Sequence, residues 1–139
     1  MQKTFSIIKP DAVASGKAGK ILSLLESNGF RIVALRMTKL SLSQAEGFYA
    51  VHAARPFFRS LVTFMTEGPV ILMALEREDA VKQLREVMGA TNPANAAEGT
   101  VRKLYAESIE RNAIHGSDAP ETAAQELAYF FTGVELNQL

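Results

Sequence analysis

The sequence predicts an α/β fold: a ferredoxin-like βαββαβ sandwich with a four-stranded antiparallel sheet, helices packed on it, and a long loop inserted before the last strand. Three observations carry this expectation. Apolar residues alternate with a period of two in some segments and recur with a period of 3.6 in others. Residues 70–75 are apolar on both faces, as a central strand must be. Finally, 139 residues with 47% hydrophobic and 22% charged content make one ordinary globular domain, residues 1–139, large enough for its own core.

Each element has its own signal. Residues 4–9 alternate Phe5, Ile7 and Lys9 against Ser6 and Ile8, and Pro10 ends the strand. Residues 17–28 form a helix with Ala18, Ile21, Leu22 and Leu25 in one stripe, closed by Asn28-Gly29. Residues 30–39 read as the second strand. Ser43-Gln44-Ala45-Glu46 reads as a capping box opening a short helix through Tyr49, broken by Arg55-Pro56. Residues 57–65 follow as an amphipathic helix, then Glu67-Gly68-Pro69 turns into the central strand. Residues 78–88 are a helix with Val81, Leu84 and Met88 inward and Arg85 beside them. The turn-rich stretch 89–95 and a short helix over residues 99–107 make up the long insertion. A last short strand lies at His115. The closing helix, residues 118–131, has Asp118 as N-cap, Pro120 in its first turn, Glu121 at the capping-box position, and Ala124, Leu127, Ala128 and Phe131 inward. After Gly133 the remaining residues form a loose or docked tail.

Composition excludes several classes of function. Fifteen basic and fifteen acidic residues give zero net charge, so no global grip on nucleic acid or an anionic membrane is expected. There is no cysteine, which removes disulfides, thiolate metal sites and a cysteine nucleophile. No signal-peptide pattern opens the sequence and no apolar run reaches spanning length, so the expected location is the cytoplasm. Near-zero charge is compatible with self-association.

The chemistry gathers at Asn112-Ala113-Ile114-His115-Gly116-Ser117-Asp118. One of only two histidines sits there, flanked by small residues and followed by a helix start suited to anions. Neither a G-x-x-x-x-G-K-[ST] loop nor a G-x-G-x-x-G turn is present. An imidazole can attack a phosphoryl group directly if cations hold the oxygens and a carboxylate fixes its tautomer. Lys9, Arg85, Thr91 and Arg102 are candidates for the first task, and Glu126 for the second. Three of these residues have a plainer reading beside the functional one: Lys9 as a snorkelling edge lysine, Glu126 as a surface glutamate, His115 as a structural residue. His52 reads as an isolated, partly exposed helix histidine.

Four segments carry a family resemblance. Ile7-Ile8-Lys9-Pro10-Asp11-Ala12-Val13, Arg55-Pro56-Phe57-Phe58, Gly89-Ala90-Thr91-Asn92-Pro93-Ala94 and Arg111-Asn112-Ala113-Ile114-His115-Gly116-Ser117-Asp118 resemble the nucleoside diphosphate kinase family in order and spacing. The resemblance implies ping-pong transfer of the γ-phosphoryl group of a nucleoside triphosphate, typically ATP, to a nucleoside diphosphate. It implies His115 as the phosphorylated nucleophile, Glu126 as its holder, Lys9 and Asn112 at sugar and phosphates, and Tyr49 near the transferring group. Arg85, Thr91 and Arg102 would be phosphate ligands, Phe57 the stacking aromatic, and Ile109 the apolar residue opposite it. Ser117 and Asp118 complete the histidine turn. Mg2+ would arrive on the nucleotide phosphates, with no direct protein ligand. Stacking without base-edge contacts tolerates every base.

The resemblance also implies a homo-oligomer, a dimer-based tetramer or hexamer. Three departures from the family pattern stand out: Ala12 for a common glycine, Lys103-Leu104-Tyr105 where a small residue and an aspartate are usual, and an end at Leu139 without a longer tail. Two other readings compete: a phosphohistidine carrier acting on proteins, and a ferredoxin-like nucleotide-binding module without catalysis. The carrier leaves Phe57, Arg85, Thr91 and Asn112 without a purpose. The module would have lost His115 or a phosphate ligand, and none is missing.

Overall fold

The computed structural model describes residues 1–138. Four strands, β1 (Gln2–Ile8), β2 (Arg31–Thr38), β3 (Val70–Arg77) and β4 (Ile114–Gly116), form one sheet in the order β2-β3-β1-β4. Every neighbouring pair is antiparallel. Between β1 and β2 come α1 (Pro10–Ala14) and α2 (Ala18–Ser27). Between β2 and β3 lie α3 (Leu42–Phe48) and α4 (Phe58–Met65), joined through a 3-10 turn at Ala50–His52. The segment from β3 to β4 holds α5 (Ala80–Met88), a 3-10 turn at Pro93–Asn95 and α6 (Val101–Tyr105). The chain then adds α7 (Pro120–Phe130) and α8 (Gly133–Asn137). The observed order is the βαββαβ plan with its long insertion before the last strand.

Side-chain alternation along the strands divides the interior into two cores, one on each face of the sheet. Phe5, Ile7, Leu72 and Ala74 pack against Phe64 and Met65 of α4 and Leu127 and Phe130 of α7. On the other face Ile8, Met73, Leu75 and Ile114 meet Ile21 and Leu25 of α2 and Leu84 and Met88 of α5. The register pairs Ile7 with His115. Opposed residues on antiparallel strands point to the same face, so His115 emerges on the side covered by α7. Gly116 faces α5, where a Cβ would lie 2.5 Å from Met88 Sδ and 2.9 Å from Leu84 Cδ2. Hydrogen there is what lets β4 lie flat on α5.

Several local expectations change. Pro10 ends β1 and also opens α1 at its first position, a short helix that the sequence pattern did not reveal. The capping box at α3 forms two residues early: Ser41 Oγ accepts from the Gln44 N–H at 3.1 Å and Gln44 Oε1 accepts from the Ser41 N–H at 2.9 Å. Glu46, expected in that box, instead pairs with Arg59 at 3.0 Å. At α7 the N-cap is Ala119, not Asp118, and Thr122 takes the place expected of Glu121: its hydroxyl accepts from the Ala119 N–H at 3.0 Å and donates to Asp118 at 2.8 Å. The buried face of α7 is Ala123, Leu127 and Phe130, with Phe131 just beyond, while Ala124 and Ala128 are exposed. That rotation places Thr122 and Glu126 at the edge of the helix nearest His115. The tail is docked: Thr132 caps α8, and Glu135 pairs with Arg36 of β2 at 3.1 Å.

Gly116→Ala is expected to lower unfolding free energy by about 1–3 kcal/mol through overpacking against α5, measured by urea denaturation. A variant as stable as the parent would show that β4 does not depend on this close approach.

Candidate active site

β4 and α7 bring His115 and Glu126 together, 2.9 Å apart between Nε2 and Oε1. The same carboxylate oxygen accepts from the Ser117 hydroxyl at 2.7 Å. Ser117 is fully buried and its N–H donates to the Phe5 carbonyl at 3.1 Å, so the strand pairing itself holds the group that steadies Glu126. Ser6 Oγ donates to the His115 carbonyl at 2.7 Å. Phe48 of α3 stands edge-on to the imidazole, with ring centroids 5.4 Å apart. With Nε2–H donated to a carboxylate, the neutral tautomer leaves its lone pair on Nδ1.

His115 lines a cleft of about 700 Å³. Lys9, Arg85 and Arg102 line the same cleft, with Thr91 and Asn112 beside them. Each cation is anchored through one edge. Lys9 Nζ donates to Asn112 Oδ1 at 2.8 Å. Arg102 donates to the carbonyls of Gly89 at 3.1 Å and Ile114 at 2.9 Å, and its buried Nε has no partner. Arg85 donates to the Gly116 carbonyl at 3.3 Å. Asn112 Nδ2 in turn reaches the Thr91 carbonyl at 3.5 Å. The hydrogen bonds of these cations go to carbonyls and an amide rather than to carboxylates, so although Glu110, Asp118 and Glu126 line the same cleft, none of the three cations is tied up in a salt bridge among the described residues.

Burial acts on these groups. Desolvation, reinforced by Arg102, lowers the Lys9 ammonium to about 8 against the pull of Asp11 and Glu110. Burial and the neighbouring Arg85 lower Arg102 to about 10, which still leaves it charged at neutral pH. Burial, with Glu126 nearby, pushes the Tyr49 phenol up, so it stays a hydroxyl; its oxygen is buried without a partner.

The mouth of the cleft is apolar. Phe57 and Ile109 both line it and are 46% and 59% exposed, which is unusual for large apolar side chains in one concavity. Phe57 is the N-cap of α4, and Ile109 lies in the segment between α6 and β4. That segment is fastened to α4: Ser60 Oγ donates to Glu110 at 2.9 Å, Arg111 pairs with Glu67 at 2.6 Å, and its guanidinium lies 4.8 Å from the Phe64 ring centroid. The two apolar side chains therefore belong to one braced frame.

Every candidate from the sequence except Ser117 lines this cleft, Asp118 and Glu126 included, and Ser117 sits behind Glu126. Other lining residues went unread as members of the site. Phe48 and Leu61 look like ordinary helix core residues, and Thr122 gave no sign of bridging Asp118 and Ala119. His52 is partly exposed in a 3-10 helical turn, as expected, and it also lines the cleft and packs on Phe57 at 5.4 Å between ring centroids.

A family model for nucleoside diphosphate kinase matches residues 2–136. The chain belongs to the nucleoside diphosphate kinase family. A nucleoside diphosphate kinase of Nitratidesulfovibrio vulgaris is 57% identical over 136 residues, covering 98% of each chain. One from Thiobacillus denitrificans is 60% identical, covering 98% of this chain and 96% of that one. Among solved structures, the Aquifex aeolicus nucleoside diphosphate kinase superposes with a TM-score of 0.94 at 43% identity, covering 96% and 97% of the two chains. The Halobacterium salinarum enzyme, solved in complex with CDP, gives 0.92 at 40% identity over 96% and 90%. The nucleoside diphosphate kinases are phosphotransferases, and this chain has their fold over nearly its whole length. Of its departures from the family pattern, Ala12 is buried in the core beneath α2 and α5 whereas Leu104 is 51% exposed, and Arg102 keeps its two carbonyl partners.

Lys9 gives a pH test of the electrostatics. Its folded value of about 8 lies below the ordinary 10.5, so between these values the unfolded chain holds the extra proton. Stability should rise across that window, by roughly 1 kcal/mol per pH unit, relative to Lys9→Met. Parallel pH–stability curves for the two proteins would contradict the assignment.

Proposed function

We propose that this chain moves the γ-phosphoryl group of a nucleoside triphosphate, typically ATP, to a nucleoside diphosphate through a phosphohistidine on His115. The supporting observation is the His115–Glu126 pair set into a cation-lined cleft whose mouth is apolar. In the first half-reaction the Nδ1 lone pair attacks the γ-phosphorus, the bond from phosphorus to the β,γ-bridging oxygen breaks, and the diphosphate leaves with the electron pair. The ring becomes a phosphoimidazolium, and its Nε2–H donated to Glu126 offsets the new positive charge. Lys9, Arg85 and Arg102 hold the phosphate oxygens, Thr91 and Asn112 fix their register, and the Tyr49 hydroxyl lies close to the transferring group. A second nucleoside diphosphate then takes the phosphoryl group by the reverse path. Phe57 and Ile109 clasp the base through its faces, which discriminates little between bases.

Magnesium belongs to the substrate in this reading. The ion would enter with the nucleotide phosphates, which Lys9, Arg85 and Arg102 would hold, and no side chain of the chain is assigned to it. Bound there, the ion supplies charge neutralisation on the phosphates. Self-association, as a dimer within a tetramer or hexamer, is supported by the edge strand β2, which leaves Leu35 and Met37 exposed. Among the described residues no helix is long and apolar enough to cross a membrane, and the proposed location is the cytoplasm, where nucleotide pools turn over.

Incubation with γ-labelled ATP should give acid-labile label on the protein, discharged on addition of GDP. His115→Ala should carry none. Glu126→Ala should slow labelling roughly 100-fold with little change in nucleotide affinity. Label retained in His115→Ala would overturn the mechanism; label that GDP cannot discharge would favour a carrier of phosphate to proteins.

A further inference from the structure

Ala113 lies two residues before His115 with φ of 74°, one of two non-glycine residues at positive φ among those described. The Ile114 N–H donates to the Asn112 carbonyl at 2.9 Å, closing a three-residue γ-turn around Ala113. A γ-turn with positive φ is rare and strained for a residue with a Cβ. Ala113 is also fully buried, so water cannot satisfy its peptide groups. Both are held by the segment that follows β1. The Lys9 N–H donates to the Ala113 carbonyl at 2.9 Å, and Asp11 Oδ2 accepts from the Ala113 N–H at 3.1 Å.

Asp11 is the unexpected member of this set. It is a buried carboxylate that does not line the cleft, and its Oδ1 is buried without a partner. Burial pushes its carboxyl up, against the N–H donors around it and the Lys9 charge. Keeping a carboxylate in such a place works against the fold unless its hydrogen bond does something a neutral side chain would not. A charged acceptor makes roughly twice as strong a bond to an N–H as a neutral one. The bond falls on the one peptide group whose strain has to be held. On either side of that group are Asn112, which accepts from Lys9, and Ile114-His115, which pair with β1.

Resting on the phosphotransfer reading above, we propose that Asp11 is a positioning residue: its carboxylate locks the strained turn at Ala113, and so sets Asn112 against Lys9 and His115 against Glu126. Asp11 touches neither the nucleotide nor the reacting atoms. It acts by keeping one backbone conformation populated. Released, Ala113 relaxes toward negative φ, and the residues on either side swing by more than a catalytic alignment tolerates; about 1 Å of misplacement can cost roughly 100-fold.

The test is a double substitution, read as the single-turnover rate of His115 labelling at saturating ATP. Asp11→Ala should lower this rate roughly 10- to 100-fold, with a smaller change in nucleotide affinity. Asp11→Asn, whose amide oxygen still accepts, should fall between it and the parent. Ala113→Gly, which adopts positive φ without strain, should lie within about threefold of the parent. Combined with Asp11→Ala, it should recover most of the lost rate. A purely stabilising Asp11 would instead lower the melting temperature with the rate intact, or give a double variant that regains stability but not rate; either result overturns the proposal. If Asp11→Ala does not fold, Asp11→Asn with and without Ala113→Gly carries the same comparison, and absence of rescue there defeats it. Parent protein that takes no label would defeat the phosphotransfer reading itself, which separates the two failures.

Discussion

The pairing of β4 with β1 is the constraint on which the site depends. Only three residue pairs make up that ladder, Ser6 with Gly116, Ile7 with His115 and Ile8 with Ile114. A slip of one residue would turn His115 toward α5 and Gly116 toward α7, because side chains alternate with a period of two. Register is therefore fixed from several directions. Gly116 is the residue that α5 will admit at its position, Ile114 fills the core beneath, and Ser6 and Ser117 bond across the strand ends. Arg102, Arg85 and Lys9 each donate to backbone or an amide within residues 112–116, so the cations lining the cleft share β4 and the residues just before it as their footing.

That arrangement resolves an apparent conflict in the composition. A chain with no net charge can still present a cationic cleft: Lys9, Arg85 and Arg102 converge there without forming salt bridges among the described residues, although Glu110, Asp118 and Glu126 line it too, and the burial of Lys9 and Arg102 limits the screening of their fields. The surface ion pairs, such as Arg59 with Glu46 and Arg36 with Glu135, are exposed and contribute little individually. Their positions matter more: Arg59–Glu46 ties α3 to α4 beside the cleft, and Arg36–Glu135 ties α8 to β2 at the far edge of the sheet.

Much of this was legible in the sequence. The two periodicities gave the strands and most helices, and the Asn112 to Asp118 segment drew attention to His115 before any geometry was known. What was hidden is three-dimensional. In the α7 stripe Leu127 and Phe131 are buried as read, but Ala123 and Phe130 take the places expected of Ala124 and Ala128, because these alanines fit an apolar face as well as Ala123 does; only packing on β1 chooses between them. The α3 cap was displaced because Ser41 and Ser43 are each followed three residues later by a side chain able to complete a box, and Glu46 was taken by Arg59. Asp11, Phe48 and His52 went unread as neighbours of the strained turn, His115 and Phe57 respectively, because no spacing rule links residues brought together from separate elements.

The central claim is that Glu126, by accepting from Nε2, dedicates Nδ1 of His115 to the phosphoryl group. The most direct measurement is nitrogen–phosphorus correlated NMR on the isotopically labelled phosphoprotein, which distinguishes the two phosphohistidine isomers. Phosphorus coupled to Nδ1, with Nε2 still protonated, is the predicted result. Phosphorus on Nε2 would mean that the His115–Glu126 contact breaks during catalysis, and would contradict the account.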